Sequence, residues 1–216
     1  LHDALPILPY LNANDIEEDT TLDYDVCIIG SGAAGIAIAL EFIQTGYSVL
    51  MLEAGGIDFE PELQSDYTYN PINGREGDWE FTRTRQWGGT TGVWYGRCIN
   101  LEPIDFEKRS WVANSGWPIT YEDVQKYKGR ALNTLKVDHP EALDPFFWNE
   151  SETSKAFESE DIHPKVFLWS NPKDMAVAHH KEIGNSNNVT LCYYAFAQEI
   201  IPTESDDHIK SIIVKS

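Results

Sequence analysis

Three glycines, Gly30, Gly32 and Gly35, stand in a G-x-G-x-x-G arrangement between the apolar run Asp25 to Ile29 and a small-residue stretch that begins at Ala33. At this spacing each glycine has its own task. The first allows a tight turn, the second lets backbone approach a pyrophosphate, and the third lets a helix pack closely on a strand. A helix that starts directly after the loop offers free N–H groups and the positive end of its dipole to phosphate oxygens. Glu53 ends the next apolar run, about 20 residues beyond Gly30, where a carboxylate can accept hydrogen bonds from both hydroxyls of a ribose and would repel a 2′-phosphate. The pattern reads as a dinucleotide site. NAD and FAD share the ADP half, so the residues leave the two open.

A second cluster, RTRQWGGTTGVWYGRC, covers Arg83 to Cys98. Gly88-Gly89 lets backbone come close to something flat or crowded. Thr90 and Thr91 supply hydroxyls, Trp87 and Trp94 large faces, and Arg85 and Arg97 cations. The same composition suits an aromatic-rich turn packed on a core, and composition alone leaves both readings standing.

The elements that must position these residues follow from periodicity. Asp25 to Ile29 is expected as a strand buried on both faces. Ala33 to Gln44 has the helical spacing of Ile36, Leu40 and Ile43 and ends at Thr45-Gly46. Tyr47 to Leu52 is a second buried strand, which completes a parallel, right-handed βαβ unit. From Gly55 to Gly116 no period holds, as in a stretch wrapped around a ligand. Thr120 is expected to cap a helix, with Asp123 as its capping-box partner. That helix runs to about Leu135, with Gly129 as a weak point. Residues 138–165 are irregular and aromatic. A helix over Pro172 to Ile183, closed by Gly184, precedes three strands: Val189 to Tyr194, Gln198 to Pro202 and His208 to Val214. Ser205-Asp206-Asp207 is a turn between the last two. Residues 8–23 read as an acidic arm or linker. Leu1 to Ile7, LHDALPI, reads as a translated sequencing adapter and is set aside from the fold. No initiator Met opens the chain and it stops inside an apparent strand, so a piece of a longer protein is expected.

The 216 residues carry a formal charge of −19, with 42% hydrophobic and 24% charged residues. A packed core is expected, and the charge argues against nucleic acid or an anionic membrane as partner. No run of about 18 apolar residues exists, so no transmembrane helix is expected. Cys27, Cys98 and Cys192 fit neither a zinc pattern nor a disulfide framework, and Cys27 is expected to be a small buried hydrophobe. His179-His180 reads as a solvated helix face, His139, His163 and His208 show no metal spacing, and Glu17, Glu18 and Asp19 read as a solvated charge run. Asn149-Glu150-Ser151 and Asn188-Val189-Thr190 match the glycosylation sequon.

The passages DYDVCIIGSGAAG, VLMLEAGG, WGGTTGVWYGRCINLEPIDFEKRSWVANSGWPIT and NVTLCYYAFAQEII together resemble the N-terminal half of glucose-methanol-choline (GMC) type flavin oxidoreductases. LEPIDFEKR and SGWPIT are most similar to the branch of sugar dehydrogenases and pyranose oxidases. The resemblance covers residues 23 to 216. It implies an α/β, Rossmann-like FAD-binding domain, incomplete here, with part of a mixed α+β substrate domain. In that scheme residues 1–22 are scar and linker, 23–135 the FAD-binding region with its flavin-contacting loops, 136–188 the start of a substrate or cap region, and 189–216 strands returning to the FAD domain.

By the same resemblance the cofactor is FAD. Gly30, Ser31, Gly32, Ala33, Ala34 and Gly35 hold the pyrophosphate, Glu53 and Ala54 the adenosine ribose, and Arg85, Gly88, Gly89, Thr90 and Thr91 line the flavin side. Ala197 sits where the family sets strand backbone against adenine. Pyranose oxidases bond the flavin covalently through a histidine whose equivalent is Val93, so non-covalent FAD is expected. The family oxidises a CH–OH group of an alcohol or sugar by hydride transfer to flavin N5, with a histidine base near the C-terminus. No match to that motif occurs, so no catalytic residue is assigned and the piece alone is expected to be inactive. The substrate is a small alcohol or sugar, and the electron acceptor is open. Two alternatives stand beside this reading: an NAD(P)-dependent or two-dinucleotide flavoprotein oxidoreductase, and a non-catalytic dinucleotide-binding module.

Overall fold

A computed structural model describes residues 9–67, 82–143, 165–205 and 207–216. His163, the Asn149 sequon and Asp206 of the expected turn lie outside the described residues. The chain divides into two compact units, Leu1–Trp94 with Asp174–Ser216, and Tyr95–Lys173.

The first unit is built on a four-stranded parallel sheet. Its strands are β1 (Tyr10–Asn12), β2 (Val26–Ile29), β3 (Val49–Leu52) and β6 (Val189–Tyr193), in the order β1-β6-β3-β2. The register aligns Ile28 with Met51 and Met51 with Leu191, so these three share one face. Cys27, Leu50 and Thr190, and then Ile29, Leu52 and Cys192, line the other. Two helices, α1 (Ala33–Phe42) and α5 (Met175–Gly184), cover the first face. Buried Ile36, Met51, Ile183 and Leu191 make its core. On the second face Leu50, Leu52 and Cys192 pack with Ala13, Leu22, Tyr24, Ala197 and Ile212. Ala197 and Ile212 come from an antiparallel hairpin, β7 (Phe196–Pro202) and β8 (Ile209–Lys215).

Two expectations change here. The stretch read as an arm supplies β1, because Tyr10 to Asn12 finds a parallel partner in Leu191 to Tyr193. Strand β2 is not buried on both faces. Only Ile28 is buried, while Ile29 is half exposed and Cys27 is exposed, so Cys27 is not the buried residue its apolar run suggests. The reason is position: β2 ends the described sheet, and nothing described covers its outer side. The centre of the sheet, β3, has the expected buried character along its whole length.

Helix α1 stops at Phe42, two residues short of expectation. Gln44 then takes φ of +65°, and Thr45 Oγ1 donates to the Phe42 carbonyl at 2.7 Å. Buried Asn188 completes this end, its amide nitrogen donating to the carbonyls of Phe42 and Tyr47, both at 2.8 Å. A helix C-terminus leaves carbonyls without partners, and one side chain from the start of β6 supplies them.

The second unit pairs β4 (Arg97–Cys98) with β5 (Leu168–Trp169) in antiparallel fashion and carries, among its described residues, the short α-helices α2 (Pro103–Phe106), α3 (Tyr121–Gln125) and α4 (Lys128–Thr134). The Thr120–Asp123 capping box forms as expected. The single helix expected after it is two, broken at Lys126-Tyr127 rather than at Gly129. Arg97 lies over the rings of both Tyr95 and Trp169, at 5.6 and 5.3 Å from their centroids.

Asn188→Ala removes two hydrogen bonds, those to the Phe42 and Tyr47 carbonyls. It should lower stability by about 1–3 kcal/mol, seen as a thermal midpoint several degrees lower with the native circular dichroism retained below it.

Candidate functional site

The glycine loop lies between β2 and α1. Gly30 takes φ of +94°, a conformation that favours glycine, and its N–H donates to the Leu52 carbonyl at 2.7 Å. The turn thereby fixes the end of β2 to the end of β3. At Gly35 a Cβ would stand 1.9 Å from the Gly30 carbonyl oxygen and 3.3 Å from Ile28 Cγ2. The helix can therefore approach the strand only because this side chain is absent. At Gly32 a Cβ would meet nothing within 4 Å, and the space over this residue is open.

Gly32 is the N-cap of α1, extended in backbone and with no side-chain oxygen to cap the helix. The first intrahelical bond is Ile36 N–H to the Gly32 carbonyl, at 2.9 Å. By helix geometry the N–H groups ahead of it have no partner within the helix. Ala33 and Ala34, at this terminus, are exposed. The sequence thus folds into a bare, positively polarised helix end beside an open glycine.

Glu53 follows β3 and is buried at 6% exposure. Its Oε2 accepts from both the amide and the hydroxyl of Ser31, at 3.0 and 2.6 Å, and its Oε1 accepts from Gly55 N–H at 2.9 Å. A buried carboxylate needs such donors. The expected acid and the expected loop are brought into direct contact, with Ser31 wholly buried between them. Ala54 is half-buried next in line.

The second cluster folds against the first. Gly88 N–H donates to the Ser31 carbonyl at 3.1 Å, and a Cβ on Gly89 would stand 3.0 Å from Gly32 Cα. Gly88 and Gly89 both have positive φ. The segment is held in place on several sides. Thr84 Oγ1 donates to the Gly89 carbonyl at 2.7 Å, and Gln64 takes the Arg85 amide at 2.8 Å while donating to its carbonyl at 3.0 Å. Thr91 Oγ1 donates to Gly88 O at 2.6 Å and accepts from Met175 N–H at 3.1 Å, which joins the segment to the start of α5. Asp174 caps the same helix through Ala176 N–H at 2.8 Å. Thr90 is exposed, Arg85 is half-buried over the Phe196 ring at 5.4 Å, and Val93 is half-buried. Gln86 Oε1 and Trp87 Nε1 are buried polar atoms with no hydrogen-bond partner among the described residues. Trp87 meets Tyr10 edge-on at 5.4 Å between centroids.

Ala197 is half-buried on the hairpin, packed against the cluster that contains Leu52. Arg97, by contrast, belongs to the second unit. Sequence reasoning missed Gln64, Thr84 and Asp174. Gln64 and Thr84 sit in irregular sequence, and Asp174 carried the ordinary signal of an N-cap before Met175-Ala176. Gly55 was also missed as a packing residue: a Cβ there would meet the Arg85 carbonyl at 2.2 Å.

The histidines divide. His180 is exposed, as a solvated helix face requires, but His179 is buried at 2% exposure, with Nδ1 2.5 Å from Glu182 Oε2. The two neighbours point different ways around α5, and His179 takes the side against the core. Glu17, Glu18 and Asp19 are exposed. Among the described residues no three His, Cys, Asp or Glu side chains converge as a metal site, and no helix is long and apolar enough to cross a membrane.

No family model matches the chain. It is 31% identical over 124 residues to the 2-methyl-1,2-propanediol dehydrogenase of Mycolicibacterium austroafricanum, which covers 48% of this chain and 22% of that protein. It is 26% identical over 125 residues to a GMC-type oxidoreductase of Aspergillus aculeatus, covering 50% of this chain and 23% of the relative. Among solved structures, pyridoxine 4-oxidase from Mesorbium loti shares the fold at a TM-score of 0.55 and 19% identity, over 89% of this chain and 46% of that one. The stretch aligned with the two curated relatives is under a quarter of either. The chain is similar in sequence and fold to oxidoreductases of the GMC type.

Gly35→Ala should prevent folding, because the added methyl collides with backbone that has nowhere to go. Gly32→Ala should fold with a normal circular dichroism spectrum, since its methyl enters open space. Equal soluble yields for the two would contradict the geometry.

Proposed function

We propose that this chain forms the FAD-binding part of an oxidoreductase that oxidises a CH–OH group of an alcohol or a sugar. The observation that supports it most strongly is the juxtaposition of a bare helix N-terminus, an open glycine and a buried carboxylate at the ends of adjacent parallel strands. That donor set suits one ligand half: a diphosphate attached to a ribose. The FAD identity rests on the GMC resemblance.

When bound, the flavin supplies the hydride acceptor. In this reading the chain's own residues hold and orient. Backbone N–H groups of Gly32, Ala33, Ala34 and Gly35 face the diphosphate, with Gly30 shaping the turn. Glu53 and Ala54 flank the ribose, and Ala197 supports the adenine side. Arg85, Gly88, Gly89 and Thr90 line the flavin side. The Thr91 hydroxyl is committed to Gly88 and Met175, so its part is to hold the segment. Residues 82–94 contain no His, Cys or Tyr, which favours non-covalent attachment at this segment. The proposal assigns no base to this chain: His179 is buried and paired with Glu182.

Mixed with FAD and desalted, the chain should emerge yellow, with flavin released intact by acid precipitation. Gly32→Val should lose the flavin, and Glu53→Gln should weaken its binding by about tenfold, the worth of one charge-assisted hydrogen bond. A wild-type chain that is folded and remains colourless overturns the proposal, as does undiminished flavin in Gly32→Val.

A further inference from the structure

Residue types alone place Ser31 inside a phosphate loop and give Glu53 both ribose hydroxyls. The geometry divides the work differently. A carboxylate has about four acceptor positions. Two of them, on Oε2, are filled by the Ser31 amide and hydroxyl, and a third, on Oε1, by Gly55 N–H. One position remains, on Oε1. Ser31 is wholly buried and its hydroxyl lies 2.6 Å from Oε2, at the short end for a bond to a charged acceptor. The hydroxyl has one proton, and Glu53 takes it.

We propose that Ser31 is a positioning residue for Glu53. Its amide and hydroxyl lock Oε2, so that the carboxylate presents a single acceptor position to one ribose hydroxyl, and the Ser31 side chain makes no phosphate contact. This rests on the dinucleotide reading above and refines it. Two features favour a lock over a passing contact. The loop that carries Ser31 is itself fixed, by Gly30 N–H on Leu52 O and by Gly88 N–H on Ser31 O. Glu53 is fixed as well, its own N–H on Cys192 O at 2.9 Å and its carbonyl taking Ala195 N–H at 2.7 Å. Turning either side chain toward a ligand gives up the Oε2 hydrogen bonds that these fixed backbones bring together, so a second ribose hydroxyl must find another acceptor.

Calorimetric titration of the full chain with ADP, 2′-deoxy-ADP and 3′-deoxy-ADP tests this. In the wild type one deoxy analogue should bind about tenfold more weakly than ADP and the other nearly as well as ADP. In Ser31→Ala, ADP should weaken severalfold, and the difference between the two analogues should collapse. Ser31→Cys keeps a side chain of the same shape, somewhat larger and with a poor donor, and should behave as Ser31→Ala does, which covers the case in which the alanine variant does not fold. Equal loss of affinity for all three ligands in these variants would make Ser31 a phosphate contact and overturn the proposal. So would equal weakening of both analogues in the wild type, which marks a two-hydroxyl grip, or variants that bind as the wild type does. A folded wild-type chain that binds no ADP would instead remove the dinucleotide reading, and this refinement with it.

Discussion

A buried carboxylate must be held by hydrogen-bond donors, and Glu53 is held by three. Those donors tie the loop after β2, 22 residues away, to the end of β3 and the turn into Gly55. The strand ladder continues through the same residue, its N–H donating to Cys192 O and its carbonyl accepting from Ala195 N–H, both on the neighbouring segment. The glycine loop therefore cannot drift relative to the sheet. The positive φ of Gly30 and the missing Cβ of Gly35 serve this junction, one by closing the turn and the other by letting α1 lie on Ile28.

The second glycine segment depends on the first. Its backbone reaches Ser31 and Gly32 so closely that a side chain on Gly89 would press on Gly32 Cα, and one on Gly88 would meet Asp174 and Ala176. Three elements, the loop, the segment and the start of α5, thus meet at backbone distance. Such contact is strong in geometry and weak in side-chain specificity. Arg85 is the cation nearest the site in sequence, and it stacks on Phe196.

Much of this was legible before any coordinates. The G-x-G-x-x-G between an apolar run and small residues located the loop, the crossover and the acid, because each step of that pattern is forced by backbone sterics. The Thr120–Asp123 box was legible for the same reason: capping is local chemistry. What local reasoning could not see was long-range company. Tyr10 to Asn12 looks like a polar arm until β6 offers it a ladder. Cys27 and Ile29 look buried until β2 proves to be the end of the described sheet. His179 looks solvated beside His180 until α5 turns it inward. Gln64 gave no signal, since a glutamine that braces a distant backbone amide looks like any other glutamine.

The clamp at the far end of α1 has a consequence for how the chain is made. Asn188 heads a tripeptide, Asn188-Val189-Thr190, that a secretory glycosylation apparatus recognises. Its amide nitrogen is the atom a glycan would be attached to, and in the folded unit that atom lies beneath the Phe42 and Tyr47 carbonyls. Sugar transfer and folding are therefore mutually exclusive fates for one nitrogen. In a secretory host the outcome would be a race on the nascent chain, and molecules modified there could not close the end of α1.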